Sequence, residues 1–371
     1  MLIYLALLIP IIATIILAVF FTKKMVWWEY LLILGIPTLT IFIGKYASVA
    51  SQTNTTEYWN SYALTVVYEE AWDEWVHRTC SRTVSCGKDC TRSENYDCSH
   101  REYHPEKWAL TDNIGRDYYV SRDFYNRTKE LWGNETFRDM NRHYYTQDGN
   151  AYITTYENSL GLSGIVPICI PHTYENKVKV ARSVFNFEKV DSADRATYKL
   201  FDYPVKFNRY NFPALMGYPD NKALVKLKRY NALLGAFKQV HMMVLVFTDQ
   251  PREAGQLQEA LLKGSNKNEF ILCIGQSKNK ITWTKVISWT DQEKLKISVA
   301  RHVKEMDTLN LEAVVDYMHE NVKKFFIRKN WHDFDYLTVE PTFPAIIITM
   351  IVTLLVTIGV AIFAVKNDFK L

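Results

Sequence analysis

The sequence predicts an α+β protein held in a membrane by three helices, with one large mixed domain between the second helix and the third. Three observations predict it. Leu2 to Phe21 and Pro341 to Val365 contain no charged residue. A further apolar stretch, Trp27 to Gly44, follows the first run closely. In the chain between them, apolar residues recur at every second position in some segments and at helical spacing in others.

The two charge-free runs match the roughly 20 apolar residues that a helix rising about 1.5 Å per residue needs to cross hydrocarbon. Glu29 and Pro37 interrupt the third run, yet Trp27 and Trp28 suit the membrane interface, where Glu29 would sit at headgroup level. The run is therefore expected to cross, the alternative being a helix lying on the surface. This gives two N-terminal transmembrane helices over 1–45 and a C-terminal helix with a short tail over 341–371.

Orientation follows from the flanking charges. A cleaved leader would carry positive charge before its apolar run, whereas Met1-Leu2-Ile3-Tyr4 has none, so the first helix is expected to remain. Lys23 and Lys24 follow it and favour the cytoplasm, as do Lys366 and Lys370 after the last helix. The large domain is then expected outside, in the periplasm or on the cell exterior. Lys45, Lys323, Lys324, Arg328 and Lys329 pull the other way. The formal charge of +4 over 371 residues, with no long basic block, gives no reason to expect nucleic acid as a partner. The expected partners are the lipid bilayer and a protein of the envelope.

Four of six cysteines, Cys80, Cys86, Cys90 and Cys98, share one short polar stretch with little aliphatic content. Outside the cytoplasm such a segment calls for disulfides, and four cysteines permit three pairings that spacing cannot separate. The alternative is zinc held by these thiolates with His100 and His104; the gaps of five, three and seven residues depart from the tight Cys-x-x-Cys hooks of zinc knuckles. Cys169 and Cys273 lie in apolar runs and read as buried small hydrophobes.

The run Cys90 to Trp108, with Tyr96-Asp97-Cys98 and His104-Pro105-Glu106-Lys107-Trp108, resembles a pattern in uncharacterised membrane proteins of bacteriophages. Asp139 to Tyr145 with Asp148-Gly149, His172 to Asn176, and Asp333 to Leu337 extend the resemblance over most of the chain. It implies a viral or bacterial setting and no particular activity.

Within the domain, 46–156 is expected to be Cys-rich, aromatic-rich and mainly helical, with helical spacing at Tyr62, Val66 and Val67 and at Phe124, Leu131 and Trp132. The stretch 157–235, broken by Pro167, Pro171, Pro204, Pro213 and Pro219, reads as irregular and β-rich, with a strand over Val178 to Phe185. The stretch 236–340 reads as an α/β region of order β-α-β-β-α-α, built from Val240–Phe247, Arg252–Leu262, Phe270–Ile274, Ile281–Trp289, Gln292–Met306 and Leu311–Ile327. That order resembles the TPM domains that a helix tethers to membranes.

The sequence carries no HExxH, phosphate-loop, GxGxxG, GxSxG or EF-hand signature. Asp139, His143 and Asp148 could orient an imidazole for acid–base work, but Asp139 and His143 at i, i+4 also make an ordinary helical ion pair. Function is therefore expected to be binding or cell-surface modification without catalysis. A membrane-tethered enzyme or metal-dependent hydrolase, and a structural membrane oligomer, are the alternatives.

Overall fold

The computed structural model describes residues 2–21, 25–87, 90–140, 142, 145–181, 187–204 and 208–367. A 3₁₀ turn over Leu2–Leu7 leads into α1 (Leu8–Phe20), and α2 (Trp27–Thr53) passes directly into β1 (Asn54–Glu69). There follow β2 (Trp72–Val76), β3 (Thr79–Gly87), β4 (Cys90–Asp97), β5 (His100–His104), β6 (Lys107–Asp112) and β7 (Asp117–Tyr119). After α3 (Arg122–Trp132) come β8 (Thr136–Arg138), β9 (Tyr145–Gln147), β10 (Ala151–Thr155) and β11 (Pro167–Glu175). Then α4 (Ser192–Thr197), β12 (Leu215–Met216), α5 (Asn221–Lys238), β13 (His241–Thr248), α6 (Glu253–Leu262), β14 (Glu269–Ser277) and β15 (Lys280–Ile287). The chain ends with α7 (Glu293–Lys304), α8 (Leu311–Phe325) and α9 (Phe343–Asn367).

Its contacts divide the chain into two units. The first comprises Met1–Glu57, His172–Glu188 and Asn330–Leu371. Three of its helical segments are long and apolar enough to cross a membrane: Leu2–Phe20, Trp27–Thr53 and Phe343–Lys366. The second of these is 27 residues, about 40 Å of helix against about 30 Å of hydrocarbon. It runs on through Pro37 and well beyond Gly44. Ile3, Ala6, Ile41 and Ile346 pack together, as do Leu17, Met25, Ile33 and Ala364, while Leu39, Ile43, Ile348 and Leu355 face outward. Buried Glu29 sits in the first turn of α2, where its carboxylate accepts the Val26 N–H at 2.8 Å. The positive end of the helix dipole favours an acid there.

Beyond the end of α2, the segments around residues 176 and 331 close over it. Asn176 N–H donates to Thr53 O at 2.7 Å, and Lys179 Nζ to Thr55 Oγ1 at 2.9 Å. The Tyr174 and Trp331 rings meet edge to face at 5.9 Å.

The second unit, Tyr58–Pro171 with Lys189–Lys329, holds two larger sheets. In one the strand order is β7-β6-β1-β10-β8, with β11 also pairing β1. In the other, of order β12-β13-β14-β15, the first three strands run parallel and β15 antiparallel. Strict alternation splits the central strand: Met242, Val244 and Val246 face a core shared with α5, α7 and α8, whereas Met243, Leu245 and Phe247 face the core shared with α6. The β-α-β-β-α-α order expected for 236–340 is what the chain forms.

Four expectations are corrected. The region 46–156 is mainly β, its helical parts among the described residues being the last turns of α2 and the helix α3. Tyr62, Val66 and Val67 lie in β1, a strand covered on both faces, so no simple alternation marks it. Residues 178–180 form a turn and not a strand, and 182–185 lie outside the described residues. Asp139 follows β8 in non-helical backbone, so it is not half of a helical pair. Finally, the irregular region ends in most of an 18-residue helix, α5, which runs on past 235 and whose N-cap Asp220 accepts from Ala223 N–H at 2.9 Å.

Candidate binding site

The cysteine-rich segment is a two-stranded arm. β3 and β4 pair antiparallel from Thr79↔Asp97 to Gly87↔Cys90 and form a sheet of their own. Such a hairpin is marginal in water without a third strand or a covering helix. Its base carries the staple: Cys80 and Cys98 are disulfide-bonded, with Cα atoms 5.8 Å apart. Closing a loop with a sequence separation of 18 stabilises by about 3 kcal/mol in the chain-entropy account. The side chains of Cys86 and Cys90 lie outside the described residues, but the register puts their backbones together at the arm's tip.

The zinc ligand set comes apart on this geometry. Cys80 and Cys98 spend their sulfurs on each other. His100 and His104 lie on one strand, and four residues of extended chain separate them by roughly 13 Å. His104 instead stacks on Trp72, ring centroids 3.9 Å apart, with Nε2 3.2 Å from Glu74 Oε2. Among the described residues no three His, Cys, Asp or Glu side chains converge as a metal site.

Of the acid–base candidates, His143 lies outside the described residues, and Asp148 belongs to another network. Arg142 donates to the carbonyls of Asp148 and Gly149 at 2.6 and 2.7 Å and lies 4.4 Å from the Trp72 ring. Gly149 has φ +66°, and a Cβ there would meet Ala71 O. Arg142 thus pins this loop against the β1–β2 junction. Cys169 and Cys273 are fully buried free thiols, as expected, and burial pushes both thiol pKa values up.

What the sequence did not reveal is a row of aromatic side chains across four strands. The register sets Tyr68 opposite Trp108 on β6 and opposite Tyr152 on β10, and Tyr152 opposite Phe137 on β8. Tyr68 stacks with Trp108 at 5.3 Å and with Tyr152 at 5.8 Å, and Phe137 meets Tyr152 edge to face at 5.7 Å. Tyr125 of α3 closes on Tyr68 at 6.0 Å and roots the row in the core of Ala63, Val66 and Leu110. The far end is open: Phe137 is 57% exposed.

Carboxylates line the row. Tyr68 donates its phenol proton to Glu106 at 3.1 Å, Tyr152 to Glu70 at 3.4 Å and Tyr125 to Glu135 at 2.6 Å. Burial raises the pKa of Tyr68 and Tyr125, and the Glu70 charge raises that of Tyr152, so the three phenols stay protonated as donors. Ring faces and edges provide apolar contact at low entropic cost, and the carboxylates provide acceptors beside them.

No family model, no curated protein and no solved structure matches this chain, and none of the three comparisons supports the resemblance to bacteriophage membrane proteins.

Proposed function

We propose that this chain is a membrane-anchored envelope protein whose extracytoplasmic part binds a glycan of the cell surface along the Trp108–Tyr68–Tyr152–Phe137 row. The observation that carries the reading is the row itself: four aromatic side chains in register, open at Phe137 and edged by Glu70 and Glu106. A sugar presents C–H faces to rings and hydroxyl donors to carboxylates. Support for the outward placement comes from the Cys80–Cys98 disulfide, since such bonds persist in oxidising compartments. That candidate spans among the described residues flank this part and none falls between α2 and α9 fits the same reading. Lys23-Lys24 and the C-terminal lysines favour the other side as cytoplasmic.

A metal-dependent hydrolase built on the cysteine cluster is the weaker reading, because two of its sulfurs are bonded together and its two histidines are spread along β5. The test is binding of the detergent-solubilised full chain to an array of neutral, amino and acidic polysaccharides. At least one class should bind, and Phe137→Ala with Tyr152→Ala should weaken that binding at least about tenfold, the scale of an aromatic hot spot. An array with no binding, or binding indifferent to both substitutions, refutes the assignment.

A further inference from the structure

A separate groove of about 590 Å³ lies where α5 meets the 3₁₀ turn Asn158–Gly164 and the start of α8. That volume falls in the range of small-molecule sites. Lys222, Lys226 and Arg229 stand at i, i+4 and i+7 and so share one face of α5, with Val225 among them. Leu162 supplies a second apolar wall and Glu312 the one acid of the lining.

The three cations are not equivalent. Lys226 is neutralised by Asp316 at 2.6 Å. Among the described residues, Lys222 and Arg229 form no ion pair. Arg229 is half-buried, and burial lowers its guanidinium pKa, which leaves a partly desolvated charge without a counter-ion. Guanidinium does not shed its proton near neutral pH, so the cost persists until an anion arrives. Lys226 is spent tying α5 to α8, so Lys222 and Arg229 are the charges the groove offers an anion.

We propose that this groove binds a small organic anion, a phosphate or carboxylate carried on a carbon skeleton. Arg229 grips the anionic group through its planar fork, Lys222 adds a second charge, and Leu162 and Val225 pack against the skeleton. Val225, 44% exposed, is the apolar surface such a skeleton would cover. The groove shares no residue with the aromatic row, so either site can fail without the other.

The experiment is calorimetric titration of the full chain in neutral detergent at low salt. Its probes are inorganic phosphate, glycerol phosphate, a hexose phosphate and glucuronate. An organic anion should bind more tightly than inorganic phosphate. Arg229→Gln should weaken it at least about tenfold, the scale of a lost charge-assisted hydrogen bond, and Lys222→Gln by less. Arg229→Lys, which keeps the charge and loses the fork, should fall between wild type and Arg229→Gln. Raising the salt should weaken binding in wild type and far less in Arg229→Gln. No binding of any probe at millimolar concentration overturns the proposal. So does equal affinity for inorganic and organic anions, or binding unchanged by Arg229→Gln.

Discussion

Lowering the pH from 7 to 5 should weaken the second unit by about 2 kcal/mol through one side chain, His241. The ring opens β13, is 1% exposed, and lies near the rings of Tyr58 and Phe212 at 5.7 and 6.0 Å. Among the described residues the ring meets one polar side chain, the amide of Asn60, whose Nδ2 and Oδ1 sit 3.1 and 3.2 Å from Nδ1 and whose Nδ2 also donates to Val240 O. An amide offers no charge to an imidazolium, so burial holds the pKa down at about 3. The unfolded chain takes up the proton near pH 6.5 while the folded chain does not. The stabilisation is therefore complete above pH 6.5 and lost as pH falls toward 3, at about 1.4 kcal/mol per pH unit. From pH 7 to pH 5 this comes to about 2 kcal/mol, and to about 3 by pH 4. The assay is denaturant unfolding of the full chain in detergent, followed by fluorescence of the buried Trp283, for wild type and His241→Gln. Other groups titrate in both proteins, so the difference between them isolates the ring. Equal losses between pH 7 and pH 5 in the two proteins would refute the reasoning.

Removing the staple with Cys80→Ser should cost the arm about 3 kcal/mol. Protease nicking confined to residues 79–98, with the second unit's unfolding midpoint unchanged, is the expected readout. Gly149→Ala should destabilise by roughly 1 to 3 kcal/mol, since it combines a positive φ with a clash at Ala71 O. A change below about half a kcal/mol in the same unfolding assay would show that the loop is not held as described.

How far the sequence could be read varies along the chain for physical reasons. The strands β13 and β14 are built on the unbroken apolar runs Met242–Phe247 and Phe270–Ile274, and α8 shows its buried stripe of Leu311, Val314, Val315, Met318 and Val322 plainly, so that region is legible to within a few residues. β1 reads as helical in the sequence because both its faces are covered, which erases the period of two, and because Tyr, Trp and Val at irregular intervals mimic a helical stripe. α5 was hidden by Lys222, Lys226, Lys228 and Arg229, although Asp220 as cap and the buried Ala223, Leu227 and Leu234 could have revealed it. The cysteine pairing is a choice among three that only the β3–β4 register makes. The aromatic row was out of reach altogether, since Tyr68, Trp108, Phe137 and Tyr152 meet only once the three registers that join four strands are fixed.

The claim on which the account rests is that the stapled arm lies outside the cytoplasm on a chain held by three membrane helices. Its most direct test is mass-shift alkylation of intact cells with a membrane-impermeant maleimide, with and without an impermeant reductant. Cys80 and Cys98 should resist the reagent until the reductant is added and then react without permeabilisation, while buried Cys169 and Cys273 stay unmodified throughout. Labelling of Cys80 and Cys98 without reductant, or only after the membrane is opened, would contradict the disulfide or the orientation respectively.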